Sequence, residues 1–174
     1  MIATPRLNGA GVRSGETGPP IDHPVTQPRL SLEEVRELLE EFLPGSGLWV
    51  REVSPRRVVV TAGPDGLETR PGGTLSGPAI FKALDLSAFL AVNAYAGRVV
   101  TGVLTHGSVN LLEAAEPGPL EVVIQVAKLG RRMAVTNGWV SDVDGRLIAV
   151  GTMQFALPSR QVRSLPAGPG AGPV

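Results

Sequence analysis

The spacing of apolar residues changes several times along the chain, and each change marks an element. Leu32, Val35, Leu38, Leu39 and Phe42 recur at three- and four-residue intervals, which predicts a helix with one apolar stripe. Ser31 with Glu34 forms a capping-box pattern, and Leu30 ahead of the cap can pack on Val35. Pro44-Gly45 ends the run, and the outer face is acidic. LWVREV and RRVVVTA, separated by Ser54-Pro55, read as two strands. The loop GPDGLETRPGG leads to Ser76-Gly77-Pro78, which opens a helix running to about Tyr95 and ending at Gly97. This second helix is apolar on nearly every face.

Beyond it the pattern is extended. VVTGVLTHGSVNLL, LEVVIQVAKL, RMAVTNGWVSDV and RLIAVGTMQFAL predict four strands, with turns at Gly130 and Asp144-Gly145, the latter a two-residue hairpin signal. A helix apolar all round must be covered almost completely. One antiparallel sheet curved around it does most of that, and a second copy of the chain can cover the remainder. The expected class is α+β, with the long helix as filling and the helix at 31–43 as an addition. No repeat of 20–50 residues is visible. Residues 1–28 and 159–174 are rich in Gly and Pro with no apolar period, and read as disordered tails around a domain at 29–158.

Composition narrows the functional classes. Sixteen basic and sixteen acidic residues give a formal net charge of zero, without the general positive field that nucleic-acid binders show. The acidic face of the first helix, with no second recognition helix beside it, also argues against DNA binding. There is no cysteine, so disulfides and thiol chemistry are excluded, and a reducing cytoplasm is the simplest setting. The two histidines, His23 and His106, are far apart, and no metal site is expected. The N-terminal residues carry no continuous apolar stretch of the secretory type. Lys82, Asp85 and Asn93 interrupt the long helix, which reads as a buried helix and not a membrane span.

RPGGTLSGPAIFKALD, with TGVLTHGSVNLLEAA and the final hairpin, resembles the hotdog-fold thioesterases, and within them the PaaI-like acyl-CoA thioesterases. The resemblance covers about Trp49 to Leu157. The family loop reads N-x-x-G-T-L-H-G-G, followed by a helix with Asp or Glu nine residues after the histidine. Gly73, Thr74, Leu75 and Gly77 match, and Asp85 falls nine residues after Ser76. Arg70, Ser76 and Pro78 depart from the family's asparagine, histidine and second glycine.

The resemblance implies that Asp85 attacks a thioester carbonyl or activates a water that does, and that the Gly77 backbone N–H holds the oxyanion at the helix N-terminus. The bland reading pairs Asp85 with Lys82 three residues away, or leaves it at a solvated notch. Ser76, Gly77 and Pro78 also serve simply as cap and first turn; Pro78 has no N–H to offer. Arg70 pairs with a carboxylate, Asp85 included, reaches a substrate anion, or is a solvated loop residue. Either Thr105 or His106 orients water, since alternation lets only one face the cleft; Asn110 is a weaker candidate. Lys128, Arg131 and Arg132, gathered at the turn KLGRR, form either a solvated hairpin end or a dock for coenzyme A phosphates. The implied function is hydrolysis of an acyl-CoA thioester by a homodimer or homotetramer whose sites lie between subunits, with coenzyme A entering only as part of the substrate and no other cofactor. The alternative is a non-catalytic acyl-CoA-binding or structural hotdog protein. A hydratase on this fold is weaker, because its Asp-x-x-x-x-His motif is missing.

Overall fold

The Ser31 hydroxyl accepts the Glu34 N–H while the Glu34 carboxylate accepts the Ser31 N–H, so the capping box starts helix α1 (Leu32–Phe42) where its spacing placed it. The computed structural model describes residues 27–158. The expected tails, apart from residues 27 and 28, and His23 lie outside the described residues. Strands β1 (Leu48–Val53) and β2 (Val58–Ala62) follow. Helix α2 (Gly77–Ala96) is capped by the Ser76 side chain on the Ala79 N–H and stopped by Gly97 at φ 85°, a left-handed value that glycine adopts freely. Strands β3 (Val103–Leu111), β4 (Leu120–Leu129), β5 (Met133–Ser141) and β6 (Leu147–Ala156) complete the chain.

All six strands join one antiparallel sheet in the order β1-β2-β4-β5-β6-β3. The class and the wrapped-helix arrangement match the sequence expectation. The β5–β6 turn does not. Asp142 N–H bonds Arg146 O and Gly145 N–H bonds Asp142 O, with Gly145 at φ 78°, so three residues make the connection. The left-handed glycine fits the longer turn as well as the two-residue one, which is why the dipeptide misleads.

Leu84 of α2, fully buried, settles into a trough where Gly138 of β5 and Gly151 of β6 face each other across the ladder. A Cβ on Gly138 would stand 2.6 Å from Leu84 Cδ2 and 2.8 Å from Ile124 Cδ1; one on Gly151 would stand 2.8 Å from the Ser108 carbonyl oxygen. The bare backbone lets the helix sit close to the sheet. Helix α1 covers only the C-terminal part of α2: Arg29 and Leu30 donate backbone N–H groups to Ala94 O, Arg98 pairs with Glu41, and the Arg98 guanidinium lies 5.8 Å from the Phe42 ring centroid. By length and composition α2 could cross a membrane, but 67% of its apolar window is buried inside this fold.

Gly138→Ala is expected to destabilise the protein by about 1–3 kcal/mol through overpacking, which outweighs the roughly 0.4–1 kcal/mol gained by restricting the unfolded chain. Gly118→Ala, with open space around it, changes stability by less than about 0.5 kcal/mol. Chemical denaturation of the two variants beside wild type measures the contrast.

Candidate active site

The loop before α2 is shaped by its glycines. Gly72 and Gly73 take φ values of 103° and 84°, and the chain folds back so that Arg70 N–H bonds Thr74 O and Thr69 bridges Leu75. Leu75 N–H is held by Ala115 O and Ser76 N–H by Glu68 O. These bonds fix the approach to the helix and direct Ser76 into the capping position. Arg70 donates from Nε to the Thr74 hydroxyl at 2.8 Å. It closes its own loop and makes no bond to Asp85.

Gly77 is the first residue of α2, and a Cβ there would lie 3.0 Å from Leu111 Cδ1. Leu111 therefore stands beside the free N–H groups of the helix start. From Gly77, Phe81, Asp85 and Phe89 follow at four-residue steps and form one half-buried ridge. Phe81 reaches Gly107 of β3, so this ridge flanks the β3 edge of the sheet.

Asp85 is half-buried and has neither an ion pair nor a hydrogen bond among the described residues. Burial beside Phe81 and Phe89 pushes its carboxyl above the ordinary aspartate value of 3.8. The local pair with Lys82 is not formed. Lys82 Nζ instead reaches Gly66 O at 3.0 Å and Glu68 Oε1 at 3.2 Å, on another side of the helix. Gly77 and Asp85 are eight residues apart, so their Cα atoms stand about 12 Å apart along α2.

The other candidates are scattered. A bulge between Leu104 and His106 makes Thr105 an extra residue in β3. Thr105 is exposed, with its hydroxyl on Gln154 O at 3.1 Å. His106, opposite Gln154, and Asn110, opposite Val150, are exposed on the face away from α2, whereas Leu104, Gly107 and Val109 are the half-buried positions. Thr105 and His106 thus both turn away from the helix of their own chain, because the bulge breaks the alternation by which only one of the two was expected to face the cleft. Lys128, Arg131 and Arg132 are exposed at the β4–β5 turn and form no ion pairs among the described residues. That turn lies at the Met133–Ala156–Val103 end of the ladder, while Leu111 and Gly77 lie at the other end, about 27 Å away along a nine-residue strand. Among the described residues no three His, Asp or Glu side chains converge as a metal site.

Phe81, Phe89 and Leu111 were not singled out from the sequence. Their spacing from Asp85 was the available signal for the two phenylalanines; nothing local announces Leu111, which arrives through sheet pairing.

Comparison with known proteins bears on the fold. The family model of the thioesterase superfamily matches residues 72–149, from the loop before α2 into β6. A candidate thioesterase from a Silicibacter species is 25% identical with a TM-score of 0.70, over 78% of this chain and 96% of its own. Zebrafish thioesterase superfamily member 2 is 27% identical with a TM-score of 0.63, over 74% and 99% respectively. A hypothetical thioesterase protein of Streptococcus pneumoniae, solved with coenzyme A, shares the fold at 18% identity and a TM-score of 0.58, over 74% and 97%. No curated protein matches the sequence. The matched stretch includes both the Gly77 turn and Asp85; over it the chain is similar to the thioesterase superfamily, and its fold is the hotdog fold of the structures it resembles. The chemistry this likeness supports is thioester hydrolysis.

Asp85 binds its proton more tightly folded than unfolded, so ionising it costs stability. That cost is absent below the ordinary value of 3.8, grows as pH rises above it, and is complete once pH exceeds the raised folded value. Asp85→Asn is therefore expected to melt a few degrees higher than wild type at pH 7, with the gap closing below pH 3.8. Thermal unfolding across pH measures it.

Proposed function

We propose that the chain hydrolyses an acyl-CoA thioester to the free acid and coenzyme A, in the cytoplasm, as a PaaI-like member of its superfamily. Asp85 acts as nucleophile or as general base for water, and the Gly77 N–H stabilises the oxyanion. The observation that carries this reading is the half-buried carboxylate with no counter-ion among the described residues, held on the central helix beside apolar side chains. A carboxylate so placed is a stronger base than a solvated one, and no described residue neutralises it.

The site is completed by a second copy in this reading. A carbonyl held by one group and attacked by the other spans about 7 Å between them, less than the helix leaves between Gly77 and Asp85 of one chain. The open edge of β3, with Val103 63% and Leu111 53% exposed, supports pairing of copies into a dimer or tetramer. The basic turn at Lys128, Arg131 and Arg132, at the far end of the sheet from its own Gly77, is then available to coenzyme A phosphates at a site shared with the partner subunit. The coenzyme A of the Streptococcus structure supports the ligand class through likeness of fold.

Thiol release from aliphatic and aromatic acyl-CoAs tests the reading. Asp85→Asn is expected to lower kcat by about 10²–10⁴-fold. In the wild type kcat/KM rises with pH as Asp85 loses its proton, so the acid limb is displaced above 3.8. Tight acyl-CoA binding without turnover sinks the hydrolase in favour of a binding protein. Turnover untouched by the substitution removes Asp85 from the reaction.

A further inference from the structure

Phe81 stands one helical turn before Asp85 on the same ridge, and its ring tip presses on β3. A Cβ at Gly107 would lie 2.8 Å from Phe81 Cζ, 3.1 Å from Cε2 and 3.0 Å from Met153 Sδ. Met153 is 1% exposed and has no room to withdraw. Gly107 is thus the residue that admits the ring. Ring and thioether together close the seam between α2 and β3 beside the carboxylate.

An acyl-CoA bound with its thioester at Asp85 has two ends of opposite character. The coenzyme end carries phosphates and stays in water. The acyl end is apolar and gains by leaving water, and the seam that Phe81 closes lies one helical turn from Asp85.

We propose that Phe81 is the acyl-length gate of this site: its ring bars the seam to extended chains and restricts the substrate to short or single-ring acyl groups. This rests on the acyl-CoA reading above. Phe81 makes no bond to the reacting atoms; it is a specificity residue. Once the ring is removed, each methylene that enters the seam gains about fourfold in affinity.

The test compares wild type, Phe81→Ala and Phe81→Leu. Calorimetry with S-butyl- and S-octyl-CoA, thioethers that cannot be hydrolysed, gives the ratio of their dissociation constants, and kcat/KM for butanoyl- and octanoyl-CoA gives the matching kinetic ratio. Wild type is expected to bind the octyl compound no tighter than the butyl one. Phe81→Ala is expected to favour the octyl compound by at least about tenfold, the gain from two or three methylenes, with Phe81→Leu in between. An octyl-to-butyl ratio that stays the same in Phe81→Ala overturns the gate, as does failure of every variant to bind either thioether. If the thioether ratio shifts while no variant releases thiol, the gate stands and hydrolysis falls. Circular dichroism checks folding; if Phe81→Ala does not fold, the same ratio in Phe81→Leu decides.

Discussion

Helix α2 presents apolar side chains around most of its circumference, and removing them from water is the requirement that shapes the rest of the fold. Six strands curve around one side of it, and the facing glycines at 138 and 151 let Leu84 reach the sheet without a gap. Helix α1 closes over the C-terminal part, fastened through Ala94 and Arg98. What stays uncovered is the ridge through Gly77, Phe81, Asp85 and Phe89. The carboxylate sits in a strip of the helix that the chain's own packing leaves half open. Position and chemistry are therefore set by the same shortfall of covering surface.

The two cations with the best chance of neutralising Asp85 are both engaged elsewhere. Lys82 ties the helix to Gly66 and Glu68, and Arg70 stiffens its own loop through Thr74. These contacts are modest in strength, since the groups are largely exposed. Their effect on the site is large because of what they prevent. An ion pair at Asp85 would lower its proton affinity and occupy its lone pairs. The protein instead keeps an uncompensated carboxylate at some cost in stability, the pattern expected where a group is retained for reactivity.

Much of this was legible in the residues. Capping chemistry located both helix starts, at Ser31 and Ser76, because the side-chain bonds that begin a helix are local. Gly97 marked the end of α2 for the same reason. The four late strands and the covering role of the sheet followed from period and from the apolar girdle of α2. The resemblance added Gly77 and Asp85; the family match and structural likeness agree with the fold it implied. What stayed hidden was non-local. Alternation in β3 gave no hint that Thr105 is bulged, so the outward turn of His106 could not be read. Three-residue spacing showed that Lys82 can reach Asp85, but not that a carbonyl 16 positions earlier in the chain, on Gly66, competes for it. The tight fit of Phe81 on Gly107 depends on β3 lying beyond β6, which no local pattern states.

The bulge in β3 has a consequence for how the chain tolerates insertions and deletions. Leu104 pairs with Phe155 and His106 with Gln154, so Thr105 is the one residue of that stretch without its own place in the ladder. Losing it would leave Leu104 and Gly107 inward and His106 and Asn110 outward, as they are now. Losing His106 would let Thr105 take its place, whereas losing any residue from 107 to 110 would transpose the stretch between the bulge and the loss, exchanging its wet and dry sides and removing the glycine from beneath the aromatic ring. Length variation in this strand is thus confined to the pair Thr105-His106, and the bulge marks it.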